Sequence, residues 1–182
     1  MRTHSVAVVA VFTAAIVGSN FALAQFPDVK LLDTLVFICS FVFGLGTGAA
    51  VAVLSETIWS FVSPWGVAGS ITPFLVTGEL LFVVAGWATS KIWRDRLSAV
   101  SPTSLFIGAV MAICAFGWDF ETNAATALLY NWPQLTVPML VGYELQGAIF
   151  AVAHEVSDFV LGAFLVPVVA TILIPRLARR MS

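Results

Sequence analysis

Long apolar segments constrain the fold of this chain more than any other feature. Four of them, at residues 5–24, 71–91, 102–128 and about 149–174, are close to uninterrupted. About 20 residues of helix, at 1.5 Å per residue, cross the roughly 30 Å hydrocarbon core of a bilayer. Only 10% of the residues are charged, against about 25% in soluble domains. Because no polar stretch is longer than a short loop, residues 1–182 are predicted to form a single all-α transmembrane domain.

A fifth apolar segment, at residues 31–62, is too long for one span. As a single helix it would measure about 48 Å, which a bilayer accommodates only with extreme tilt. Its centre carries Gly44, Gly46 and Gly48 at alternate positions, and glycine weakens a continuous helix. We therefore predict one helix at about 31–44 and a second at about 45–62, which makes six transmembrane helices in total.

The basic residues support that division. With six spans and a cytoplasmic N-terminus, seven of the eight Lys and Arg residues fall on the inner side and only Lys30 falls outside. This distribution agrees with the positive-inside rule. A single helix at 31–62 would instead place Lys91, Arg94 and Arg96 outside. The prediction is a multi-pass protein of the cell membrane, with both termini in the cytoplasm.

The first apolar segment has a second interpretation. Arg2, an apolar run and then Ala22-Leu23-Ala24 are also typical of a cleavable signal peptide. Cleavage would leave the orientation of the remaining helices unchanged.

Acidic and histidine side chains within the apolar segments are the main functional signal. A charge at mid-membrane costs about 2.5 to 3.5 kcal/mol. Counted along the predicted helices, most of these side chains fall within about 15 Å of the outer surface. Since several helices contribute, the sequence predicts a polar layer that lines a cavity open to the outside. The side chains are Glu56, Glu79, Asp119, Glu121, Glu144, His154, Glu155 and Asp158.

Spacing within the layer suggests a ligand. Asp119 and Asn123 are four residues apart, as are His154 and Asp158, so each pair shares a helix face. Trp118 places an aromatic ring beside Asp119, a combination suited to a ring-bearing ligand with donor or cationic groups. The alternative is that the carboxyl groups are protonated and bond neighbouring helices. The layer as predicted contains no Lys or Arg to neutralise it, which favours a ligand.

Several function classes lack support in the sequence. The phosphate-binding loop of ATPases is missing, as is the His-Glu-x-x-His motif of zinc proteases. A layer with one histidine and no nearby cysteine is a poor ligand set for a transition metal. The net charge of −2 argues against nucleic acid as a partner. We therefore expect no catalysis, no cofactor and no metal.

Helix 1 carries a stripe of small residues. Ala10, Ala14 and Gly18 recur every four positions. Such stripes allow close helix approach in lipid, either inside the bundle or against another membrane subunit.

In the order of its motifs, the chain resembles the substrate-binding S component of energy-coupling factor (ECF) transporters. The glycine-rich hairpin at residues 43–48 is one of these motifs. Asp158 is a departure, because the family pattern has an asparagine at that position. The other matching stretches are a Pro-x-Val-x-Leu-x-Asp turn within residues 20–33, Ser63-Pro64-Trp65-Gly66 before helix 4, an aromatic-Asp-x-x-Thr-Asn segment at 118–123, and His154-Glu155-Val156-Ser157-Asp158 in helix 6.

The resemblance implies a function and partners. An S component captures a vitamin or other micronutrient outside the cell and works with a transmembrane coupling subunit and two ABC ATPases. Ala10 and Ala14 would dock the coupling subunit, and the loop at 25–30 would act as a lid. The predicted ligand-binding residues are Asn20, Glu56, Glu79, Trp118, Asp119, Asn123, His154 and Asp158.

Two other functions remain open at this point. One is a self-contained, proton-coupled carrier with Glu56, Glu79 and Asp119 as its proton relay. The other is a non-transporting accessory subunit in which the acidic groups are only buried bonding partners.

Overall fold

The computed structural model describes residues 3–94, 97–98 and 101–181. Within these ranges the chain forms six α-helices and a short 3-10 helix at Gly69–Ile71. The α-helices are α1 (Thr3–Leu23), α2 (Leu32–Phe43), α3 (Leu45–Val62), α4 (Thr72–Trp93), α5 (Pro102–Asn131) and α6 (Val137–Met181).

The prediction of an all-α fold is confirmed, and five of the six predicted spans are helices that are long and apolar enough to cross a membrane. All helices except α2 are long and apolar enough to cross a membrane. Helix α2 has 12 residues and a length of about 18 Å, which is less than the thickness of a bilayer core. Ten of its residues are buried. Helix α2 is therefore an internal element of the bundle.

The predicted break between α2 and α3 is confirmed at Gly44. This residue has φ 91°, a conformation that glycine adopts without steric cost. At Gly48, an added Cβ would lie 2.5 Å from the Cβ of Ser40, so the two helices approach closely there. The glycine pattern thus marks both a tight turn and a helix contact.

The predicted start of helix 6 is wrong. Helix α6 begins at Val137 rather than near 149 and runs for 45 residues, about 68 Å at 1.5 Å per residue. Polar side chains after its apolar first turn bond to α5: Asn123 Nδ2 donates to Glu144 Oε2 at 3.3 Å, and Asn131 Nδ2 donates to Tyr143 Oη at 3.2 Å. These contacts explain why a stretch of low hydropathy is helical.

Helix α2 and its neighbours form the core. Phe37 and Phe41 of α2, Phe82 of α4 and Met111 of α5 are fully buried. The Ser40 hydroxyl donates to the carbonyl of Val83 at 2.6 Å, which joins α2 to α4. This packing fixes the first turn of α2 inside the bundle, where the functional site lies.

Candidate functional site

A cavity of about 440 Å³ lies at the end of the bundle where α1 and α3 end and α4 begins. Its volume falls within the range of small-molecule sites, about 300 to 1,000 Å³. The linker between α1 and α2 and the loop after α3 complete its wall. Trp59 and Trp118 are buried in this wall, whereas Phe26, Trp65 and Phe150 are exposed. The cavity thus combines a buried aromatic surface with exposed aromatic side chains.

Two buried polar side chains in the cavity wall have atoms without a hydrogen-bond partner among the described residues. Asn20 and Glu56 are each only 2% exposed. Neither amide atom of Asn20 has a hydrogen-bond partner, and neither does Oε2 of Glu56. Oε1 of Glu56 accepts a bond from the Ser60 hydroxyl at 3.3 Å. Leaving a buried polar group unpaired costs about 1 to 3 kcal/mol, so these atoms are available to a ligand or to water.

Lys30 also lines the cavity, which corrects the prediction that the polar layer contains no basic residue. The linker folds into the bundle, and Lys30 Nζ lies 4.4 Å from the centre of a Trp118 ring. Burial acts to lower the pKa of Lys30, but the carboxylates of Asp33 and Glu56 act to raise it, and the net pKa lies above its usual value. Lys30 is therefore a charged ammonium group next to these carboxylates.

A buried cluster centred on His154 adjoins the cavity. His154 Nδ1 lies 3.1 Å from Asp119 Oδ2, and Nε2 lies 3.4 Å from Asp33 Oδ2 and 3.8 Å from Asp158 Oδ2. His154, Asp33 and Asp158 are fully buried. Glu79, also fully buried, lies beside Asp33. We call these five residues the His154 cluster.

Trp118 links the cavity to the His154 cluster. Its ring packs edge-on against His154, with 5.4 Å between ring centres, and it also contacts Lys30. Its indole N–H donates to the carbonyl of Leu75 at 3.2 Å, which fixes the orientation of the ring. A ligand that touches Trp118 therefore touches a side chain in direct contact with His154.

The structure divides the predicted ligand-binding residues into three groups. Asn20, Glu56 and Trp118 line the cavity, whereas Asn123 bonds to Glu144 and belongs to neither the cavity nor the cluster. The other four, Glu79, Asp119, His154 and Asp158, belong to the His154 cluster.

The remaining residues of the predicted polar layer lie apart from the site. Glu121 accepts a hydrogen bond from the Thr77 hydroxyl at 2.6 Å, and Glu155 is half-buried on α6. The predicted contact between His154 and Asp158, four residues apart, is present at 3.8 Å. Helical spacing identified this pair, because both residues lie on one helix.

The sequence analysis missed Asp33 as a site residue. Asp33 follows a polar linker and enters the prediction only as the last residue of the Pro-x-Val-x-Leu-x-Asp turn. In the structure the linker folds inward, so the first turn of α2 already lies inside the bundle and Asp33 reaches His154. An acidic residue in the first turn of an otherwise apolar helix was the signal available.

Comparisons with protein-family models, with curated proteins and with solved structures find no match to this chain.

Proposed function

We propose that this chain is the substrate-binding membrane subunit of an ECF-type importer, and that it binds a vitamin or other micronutrient in the cavity. The observation that carries the proposal is the combination of a vitamin-sized cavity, a buried aromatic wall and unpaired buried polar atoms on Asn20 and Glu56. The ordered motifs of the sequence add their support. A binding function requires no catalytic group, and we propose that the chain is not an enzyme.

The cavity wall favours a flat ligand with two kinds of polar group. Trp59 and Trp118 offer ring faces or edges for stacking. Glu56 Oε2 suits an amine, a cationic group or another donor, whereas the Lys30 ammonium suits an acceptor or an anionic group. The presence of Lys30 changes the expectation of a purely cationic ligand. A ring-bearing molecule with both donor and acceptor ends fits best.

The proposal includes an orientation and partners. The cavity faces the outside of the cell membrane, and the linker at 25–30 closes over the ligand. Both termini are cytoplasmic, because α1 and α3 both end at the cavity and the short α2, with its linker, returns the chain between them. A transmembrane coupling subunit docks against α1 and brings two ABC ATPases. Ala10, Ala14 and Gly18 are exposed on α1, and the first two line a shallow apolar groove with Leu54 and Ile58 of α3. This exposure supports docking over packing inside the bundle.

The test is ligand binding by Glu56→Gln, which keeps the size of the side chain and removes its charge. The purified protein is screened against a vitamin panel by thermal shift, and the dissociation constant of the ligand found is measured for both forms. Loss of a charge-assisted hydrogen bond worth about 1.5 to 3 kcal/mol predicts about 10- to 150-fold weaker binding. Glu121→Gln, which lies outside the cavity, is the matched control. Unchanged affinity in Glu56→Gln, or no ligand in the panel, would refute the proposal.

One observation favours the proton-coupled carrier as a second candidate. Carboxyl groups continue from Glu56 in the cavity to Glu79 and Asp33 in the interior, as a proton path requires. Uptake by liposomes that contain only this chain, driven by a pH gradient, would support the carrier and refute dependence on ATPase partners. If no ligand stabilises the protein and no uptake occurs, the accessory-subunit function is favoured.

A further inference from the structure

We infer that Asp33, His154 and Asp158 bind a divalent transition-metal ion beside the cavity. One ligand atom from each residue lies within 4.8 Å of the others, and all three side chains are fully buried. The inference goes beyond the proposed function, because it concerns a separate group of residues and does not depend on the ligand in the cavity. Asp33, which is not part of the predicted polar layer, adds a ligand that the expectation of no metal did not include.

The distances suit a metal centre. Nitrogen and oxygen ligands bind Zn²⁺ at about 2.0 to 2.2 Å, so two ligands of a tetrahedral ion are about 3.3 to 3.6 Å apart. His154 Nε2 is 3.4 Å from Asp33 Oδ2, which matches this separation, and 3.8 Å from Asp158 Oδ2. The ligand atoms of all three residues lie within 4.8 Å of one another, and Asp158 moves closer to His154 when an ion binds.

Asp119 orients the histidine for this role. Metal-binding histidines commonly donate their second ring N–H to a carboxylate, which fixes the tautomer. His154 Nδ1 lies 3.1 Å from Asp119 Oδ2. With the proton on Nδ1, the lone pair of Nε2 is directed at the side where Asp33 and Asp158 lie. Asp119 is thus a positioning residue for the site.

Unpartnered carboxylate oxygens point independently to a bound cation. Among the described residues, neither oxygen of Asp158 has a hydrogen-bond partner, whereas Glu79 and Asp33 lie within hydrogen-bonding contact of each other. A neutral imidazole donates one hydrogen bond only and cannot serve all of these groups. A divalent ion would neutralise them, because Lys30 supplies a single charge. Water would fill the remaining coordination positions.

The ligand chemistry limits the choice of ion. Carboxylates suit Mn²⁺, imidazole suits Zn²⁺ and Fe²⁺, and soft Cu(I) requires thiolate or thioether ligands that this group lacks. The site therefore fits Zn²⁺ or Mn²⁺. Co²⁺ serves as a spectroscopic probe for the same ligands.

The experiment measures metal binding by the purified, chelator-treated full-length chain. Co²⁺ is titrated and followed by visible absorption, and bound Zn²⁺ and Mn²⁺ are counted by elemental mass spectrometry after gel filtration. We expect one ion per chain. Asp158→Asn and His154→Gln should each weaken binding about 100-fold or more, and Asp119→Asn about 10- to 100-fold.

Two controls make the result specific. His4→Gln removes the only other histidine of the sequence, and Glu144→Gln removes a carboxylate bonded elsewhere; both should bind like the wild type. If His154→Gln fails to fold, the isosteric Asp158→Asn decides. No binding by the wild type, or equal binding by Asp158→Asn, would mean that His154 is only a hydrogen-bonded link between helices. Glu56→Gln should bind the metal ion like the wild type. Metal binding and ligand binding are thus tested by different variants, and failure of the metal proposal is distinguishable from failure of the proposed function.

Discussion

Gly78→Ala tests whether the position of the Trp118 ring depends on the close packing of α4 and α5. A Cβ at position 78 would overlap Trp118 Cδ1 and would lie 3.0 Å from both Cγ and Nε1 of the same ring. Ordinary contact between carbon atoms requires about 3.5 to 4.0 Å. The ring is bulky and buried, so the whole indole has to move away from α4.

The cost follows from the contacts that this movement disturbs. The hydrogen bond from the indole to Leu75, at 3.2 Å, is worth about 0.5 to 1.5 kcal/mol. The Lys30 contact at 4.4 Å adds about 0.5 to 1 kcal/mol. Edge-on packing against His154 adds about 0.5 to 1.5 kcal/mol. Alanine regains up to about 1 kcal/mol of helix propensity. The net expectation is a loss of about 0.5 to 3 kcal/mol in the free energy of unfolding.

The assay is reversible denaturation in mild detergent, with tryptophan fluorescence and helical circular dichroism as paired signals. Gly46→Ala is the matched control, since a Cβ there meets no atom within 4 Å. That substitution should leave stability unchanged or raise it by about 0.5 to 1 kcal/mol. Gly78→Ala should also weaken ligand binding, because Trp118 lines the cavity. Equal stability and affinity in the two variants would refute the account of Trp118.

Two further substitutions test the packing of α2 and the surface of α1. In Gly86→Ala the new Cβ would lie 2.5 Å from the carbonyl oxygen of Phe37. Helices α2 and α4 must then separate, at a cost of about 1 to 3 kcal/mol in the free energy of unfolding. A denaturation midpoint equal to that of Gly46→Ala would contradict this packing. Ala14→Leu changes an exposed residue, and should alter the free energy of unfolding by less than about 0.5 kcal/mol while abolishing co-purification with a coupling subunit. Loss of ligand binding as well in Ala14→Leu would indicate misfolding and count against the docking surface.

Local properties of the sequence predicted the helices well. Apolar length determines whether a segment can span a membrane, and the five long helices agree with this measure. Gly44 ends one helix because the turn needs a positive φ, which is again a local requirement. The start of α6 was missed because hydropathy falls around Glu144, and only the contact with Asn123 of α5 shows why that stretch is helical.

Composition and apolar length alone indicate a bundle of apolar helices with ionisable groups buried among them. Which of those groups meet depends on how the helices pack, because Asp33 and His154 lie 121 positions apart and no periodicity relates them. The burial of Lys30 also depends on tertiary packing. A charged linker residue remains in water unless opposite charges lie next to it in the interior, and here Asp33 and Glu56 provide them. Helix length is a property of one segment, whereas the burial of a charge depends on partners from distant segments.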